Sequence, residues 1–309
     1  MQTEANSAHR TTLGVIGASS LVGGCLLPLL VRAGRPATAF SRKLHQSRAD
    51  GVEWVRLPVP GDSAGLTQLL QSSSGIAHWI CLAPIWVLAE HFELLEAHGA
   101  KRIVALSSSS RFTKQDSSVA DEQALARRLV DGEERLQTWA AGRGVESVIL
   151  RPTLIYGLGQ DKNISEMARF IQRFGFFPLL GKAMGARQPV HAQDVAMACF
   201  AALNCAVAAN RAYSISGGET LPYREMVGRV FTVLQRRPRL VTIPLPVFRC
   251  TVALLHCLPR YRQWSAGMAE RMNRDLVFDH ADASRDFGFT PRPFRLTPAD
   301  LPRCAAASR

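Results

Sequence analysis

The chain has 309 residues, 47% apolar and 20% charged; these are ordinary values for a globular protein and exclude a disordered or low-complexity chain. The length allows one large domain or two lobes, and a chain this long buries roughly three quarters of its unfolded surface without needing disulfide staples. The formal charge of +12, nearly all from arginine, leaves two readings, an arginine-rich solvated surface or an anionic partner. No basic block and no zinc-finger or RNA-recognition signature is present, so a nucleic acid is not expected. A phosphate-bearing small molecule is the more economical anion, and peripheral contact with a membrane, through 246–262, is a further reading.

Seven scattered cysteines without a CxxC pair read as small buried hydrophobes in a reducing, cytoplasmic compartment. The polar first twelve residues lack a signal core, and no apolar run approaches the ~20 residues that span a bilayer. The run Val247 to Leu258 is interrupted by Arg249 and His256 and reads as a packed helix. His78, His91 and His98 have no metal-ligand company, so no metal site is expected.

In chain order, Thr12 to Ile16 reads as a buried strand and Leu21 to Ala33 as a helix closed by Gly34. Strands follow at Ala37–Phe40, Val52–Leu57, Ile76–Leu82, Arg102–Leu106 and Glu146–Leu150. Helices are expected at Ala64–Gln71, Val87–His98 and Asp121–Ala141. Strands separated by helical crossovers imply a Rossmann-type α/β fold, a doubly wound parallel sheet. Residues 12–157 would form that domain. Residues 158–295, with helices near 164–174, 193–207, 222–236 and 246–257, would form a smaller C-terminal substrate lobe interleaved with it. Residues 1–11 and 296–309 are read as tails.

Ligands of parallel sheets bind at the carboxyl ends of the strands. Three segments stand there: Gly17-Ala18-Ser19-Ser20-Leu21-Val22-Gly23, Leu82-Ala83-Pro84 and the serines 107–110. A glycine loop between strand and helix allows a tight turn, close packing and exposed N–H groups for a pyrophosphate. Ser20 occupies the usual middle glycine position, adding a Cβ and a hydroxyl where phosphate approaches. Ser41-Arg42-Lys43 ends the second strand; cations there suit a 2′-phosphate, which favours NADP(H) over NAD(H). Asp62 reads first as a helix N-cap.

These motifs and four later segments resemble the extended short-chain dehydrogenase/reductase family, in its NAD(P)-dependent nucleotide-sugar epimerase/dehydratase branch. The segments are Arg102 to Ser109, Arg151-Pro152-Thr153-Leu154-Ile155-Tyr156-Gly157, Arg187 to Ala196, and Phe278 to Pro291. The resemblance implies a catalytic serine at Ser109, with Ser108 as rival. It implies substrate contacts at Thr153, Tyr156 and Arg187, and a homodimer, with the faces of 88–99 and 121–141 to be inspected. It also implies a Tyr-xxx-Lys pair on the long helix. Aligning Glu133 and Leu136 with the family's pattern puts Leu125 and Leu129 at those two positions. The replacement proton donors considered are Ser109 through water, Glu133, His191 and Tyr156. Glu133 and Glu134 are expected on a solvated face, Asp194 as an N-cap, and Arg151 in a structural role.

Two functions follow. One is an atypical NAD(P)-dependent oxidoreductase or epimerase acting on a nucleotide sugar or related carbonyl compound. The other is a catalytically inactive dinucleotide-binding sensor or complex-assembly protein.

Overall fold

The computed structural model describes residues 12–42, 51–72, 75–246 and 271–302, without the side chains of 71 and 72. Lys43, Tyr261 and the expected helix over 246–257 lie largely outside them, as do the first tail and the end of the second.

Seven strands form one parallel sheet: β1 (Leu13–Ile16), β2 (Ala37–Ser41), β3 (Val52–Arg56), β4 (His78–Cys81), β5 (Arg102–Leu106), β6 (Glu146–Pro152) and Arg211–Ile215. From one edge the order is β3-β2-β1-β4-β5-β6 and then Arg211–Ile215. Every residue of β1, β2 and β5 is buried, which is why these strands read as continuous apolar runs rather than alternating ones. Alternation still assigns the faces. Leu13 and Val15 join one core; Ile16 joins the other, and Gly14 lies where a Cβ would be 2.3 Å from the Trp79 ring.

One face is covered by α1 (Leu21–Arg32), through Leu26 and Leu30, and the other by α3 (Ile85–Leu88), α4 (Phe92–Ala97) and α6 (Ala120–Arg143). The remaining helices of this half are α2 (Ser63–Ser72) and α5 (Ser110–Thr113). Asp62 caps α2, its carboxylate accepting from the Gly65 N–H at 2.9 Å. The helix expected over 87–98 is broken into α3 and α4 by a 3-10 turn at Ala89–His91.

Beyond Pro152, the end of β6, the chain leaves the sheet and returns to it. The excursion contains β7 (Ile155–Tyr156), α7 (Ile164–Phe174), β8 (Phe177–Leu180), β9 (Ala186–Arg187) and β10 (Val190–His191). Then α8 (Ala192–Asn204) packs beside α1, and β11, the strand Arg211–Ile215, pairs with β6. The second lobe is completed by β12 (Leu221–Pro222), α9 (Tyr223–Val233) and β13 (Leu240–Ile243), and α10 (Ala281–Phe287) packs on the sheet side. The lobe has its own apolar core, including Ile164, Met167, Ile171, Met226, Val230 and Phe294. The short strands of this region escape sequence reading because two- to four-residue pairings carry no periodicity.

Two expectations are corrected by tertiary contacts. His191, not Asp194, caps α8: its Nδ1 accepts from the Gln193 N–H at 3.1 Å. Asp194 is instead buried against Arg292, whose Nε and Nη2 lie 2.9 and 2.8 Å from Oδ1. Residues 296–302 are no loose tail either. Thr297 and Asp300 form a capping box, and Asp300 and Leu301 are buried. His191 Nε2 donates to Asp300 at 3.0 Å, the tautomer its Nδ1 acceptor role requires.

Burial alone would raise the Asp300 pKa. The hydrogen bonds from His191 and from the Thr297 hydroxyl and N–H outweigh it, holding the pKa at about 2. A lowered folded-state pKa contributes stability above the unfolded value, 3.8, which is lost as pH falls through the folded one. Asp300→Asn is therefore expected to cost on the order of 2 kcal/mol at neutral pH, read by urea denaturation. The gap to the wild type should close as pH falls from about 4 toward 2.

Candidate functional site

The glycine loop is held by two close approaches. Gly17 has φ +77°, and a Cβ on it would lie 2.6 Å from the Ala83 N, so the ends of β1 and β4 touch. A Cβ on Gly23 would lie 2.1 Å from the Ala18 carbonyl oxygen, so the first turn of α1 rests on the loop. Ser20 has φ −74°, which any residue adopts, and its hydroxyl accepts from the Gly23 N–H at 3.1 Å. The serine in place of glycine thus serves as N-cap. Leu21 and Val22 begin the helix, with N–H groups that have no intrahelical acceptor. Ser41 Oγ stands 3.4 Å from Ser19 Oγ, joining the ends of β2 and β1, and Arg42 is exposed beside them. The glycine loop, the Leu82–Pro84 loop and the end of β2 therefore converge, and the open N–H groups at the start of α1 suit a pyrophosphate.

Two strands along, the serine cluster follows β5. Ser109 N donates to the Pro152 carbonyl at 3.0 Å, tying the cluster to the end of β6. Ser108 Oγ accepts from the Ser110 N–H at 3.1 Å. Beneath them sits Glu133, 1% exposed. Its carboxylate accepts from Arg151 Nη2 at 2.6 Å, from Arg111 and from the Ser107 hydroxyl. The solvated face expected for Glu133 is corrected; only Glu134 is exposed. Arg151, read from sequence as structural, pairs with the Glu133 carboxylate. Breaking a buried ion pair by removing one partner typically costs about 3–5 kcal/mol. Glu133→Gln is expected to lose stability on that scale in chemical denaturation.

A cavity of about 870 Å³ opens at this point, between sheet and second lobe. Ser108, Ser109, Ser110, Thr153 and Arg187 line it, with Lys114 and Tyr223. Its far wall is apolar, from Met167, Phe170, Phe177 and Ile243. Arg187 is 5% exposed. Burial lowers its pKa, and its Nη groups donate to the carbonyls of Ala186, Arg271 and Arg274. Three of its five N–H groups are thus committed, which leaves two for a ligand. The Thr153 hydroxyl donates to the Gln188 carbonyl.

Tyr156 does not reach the cavity. It is fully buried, with its ring edge-on to His191 and Phe294 at 5.1 and 4.9 Å. The lining tyrosine is Tyr223, whose pKa burial pushes up to about 12. The sequence gives no sign of this, because Tyr223 arrives from the start of α9. Lys114 is half-buried 3.9 Å from Glu122, with its pKa lowered by burial and by Arg271. Leu125 and Leu129 pack in the core shared with α3, while Glu122, in the first turn of the same helix, lines the cavity.

Residues 88–216 match the model of the NAD dependent epimerase/dehydratase family. The chain is 28% identical over 166 residues to NADH dehydrogenase [ubiquinone] 1 alpha subcomplex subunit 9, mitochondrial, of Arabidopsis thaliana, covering 50% of this chain and 41% of that one. It is 24% identical over 318 residues to 2-alkyl-3-oxoalkanoate reductase of Stenotrophomonas maltophilia, covering 90% and 94%. The chain thus spans less than half of the Arabidopsis relative. UDP-glucuronic acid 4-epimerase of Bacillus cereus, solved in complex with NAD, superposes with a TM-score of 0.68 at 14% identity, covering 94% and 95%. UDP-glucose 4-epimerase of Thermotoga maritima gives 0.66 at 14%, covering 91% and 93%. At such identity these structures speak for the fold. Among the described residues no helix is long and apolar enough to cross a membrane. Residues 88–216 thus resemble the NAD dependent epimerase/dehydratase family, and the fold along nine-tenths of the chain is that of the solved epimerases.

Proposed function

We propose that the protein binds a nicotinamide dinucleotide across the ends of β2, β1 and β4 and acts, as an atypical epimerase or reductase, on a carbonyl compound such as a nucleotide sugar. The observation that carries this reading is the place of the cavity. It opens at Ser108–Ser110, after the strand two along from the glycine loop, about 10 Å away at ordinary strand spacing. A dinucleotide with its pyrophosphate on α1 reaches that far. When bound, it supplies hydride transfer. In this reading Ser109, which lines the cavity beside Ser108, donates a hydrogen bond to the substrate carbonyl, and Arg187 offers its two remaining N–H groups to a phosphate. Arg42 favours NADP(H).

A second reading is a dinucleotide-binding component of a protein complex. Leu125 and Leu129 in place of the proton-transfer pair favour it, as does a relative named as a subunit of NADH dehydrogenase.

Titration by nicotinamide fluorescence should show tighter binding of NADPH than NADH, with Arg42→Ala weakening only NADPH, by about tenfold for 1.4 kcal/mol of lost phosphate contact. Failure to bind either nucleotide would refute both readings. In a carbonyl-reduction screen, Ser109→Ala should lower turnover about 10²-fold with nucleotide binding unchanged. Binding without hydride transfer to any carbonyl would select the second reading.

A further inference from the structure

We propose that the end of α7, together with the 234–243 segment, forms a docking surface for an anionic phospholipid bilayer. The helix buries Ile164, Met167, Ala168 and Ile171 in the second-lobe core, and its last residue, Phe174, is 51% exposed. Phe170 and Phe176 stand beside it, with ring centroids 4.6 and 6.4 Å away.

The second segment lies against the first. Arg236 Nη1 donates to the Ile171 carbonyl at 2.9 Å, the Phe177 N–H donates to the Arg239 carbonyl at 2.9 Å, and β13 pairs with β8. Val241, at 47% exposure, adds a second outward apolar side chain.

Around these side chains stand Arg169, Arg173, Arg236, Arg237 and Arg239, all exposed. None makes an ion pair among the described residues. The sequence has no acidic residue between Glu166 and Asp194, nor between Glu225 and residue 246. Five uncompensated guanidinium groups around exposed phenylalanine and valine complement a bilayer, which offers an anionic plane with hydrocarbon just below it. Arginine keeps its charge at headgroup level while its stem lies along apolar surface. An acidic protein would satisfy the charges. The structure favours lipid because Phe170 and Phe177 also line the cavity, so the apolar surface continues inward from the ridge.

The test is co-sedimentation of the full chain with vesicles. One set is phosphatidylcholine alone; the other contains about one-third phosphatidylglycerol, the anionic component that sets the surface potential. Binding to the anionic vesicles alone, weakening from low to physiological salt, is expected. Each basic residue near such a surface contributes about fivefold, so Arg237→Glu with Arg239→Glu should lower partitioning about tenfold or more. Phe174→Ser should lower it with the salt dependence kept. Arg127→Glu with Arg135→Glu, exposed positions on α6, makes the same charge change and should leave binding within about twofold. Nucleotide titration of each variant checks folding independently of lipid. No sedimentation with anionic vesicles overturns the proposal, as does equal loss in both charge-reversed pairs. Capture on a polyglutamate resin without vesicle binding would assign the surface to an acidic protein and overturn it equally.

Discussion

The buried carboxylate of Glu133 is the constraint on which the candidate site depends. It gathers a hydroxyl from the end of β5, a guanidinium from the end of β6 and another from α5 onto one turn of α6. A carboxylate taken out of water is tolerable only with such partners, and the partners are equally bound to it. The serine loop therefore has one place to be, above the helix and beside the cavity.

The glycine loop is fixed by contact rather than by charge. Gly17 and Gly23 mark the points where β4 and the first turn of α1 come closer than a side chain permits. Ser20 stands where such loops usually carry glycine yet keeps the turn, because the backbone there needs no left-handed conformation and its hydroxyl caps the helix. The loop thus retains its shape, and the departure is a change in the capping chemistry.

The long helix is held in two ways. Leu125 and Leu129 pack against α3, while Glu133, one turn further, pairs with Arg151. Scaffold and chemistry are separable here, since the carboxylate network stabilises the loop whether or not a proton moves. The cavity beside it supplies Lys114 and Tyr223, ionisable groups from other elements, together with an apolar wall. This combination keeps both readings of the protein physically coherent and directs attention to the second lobe.

The sheet was legible because parallel strands buried on both faces must be continuous apolar runs, and the crossovers between them have their own period. The glycine loop and the serine cluster were legible because their positions follow from the strands they end. The second lobe was not, since its strands are two to four residues long and its contacts join distant segments. Tyr156 lies in a motif and is buried; Tyr223 lies in none and faces the cavity. Asp194 looked like a cap by its neighbours, but is paired with Arg292, almost a hundred residues on. Sequence by itself determined the succession of strands and crossover helices and the setting of the glycine loop between a strand and a helix, because these are encoded locally in periodicity and spacing. Only the tertiary structure decided that Glu133 is a buried anchor, that Asp300 is fastened to His191 and that Tyr223 reaches the cavity, because each depends on which distant side chains share a desolvated space.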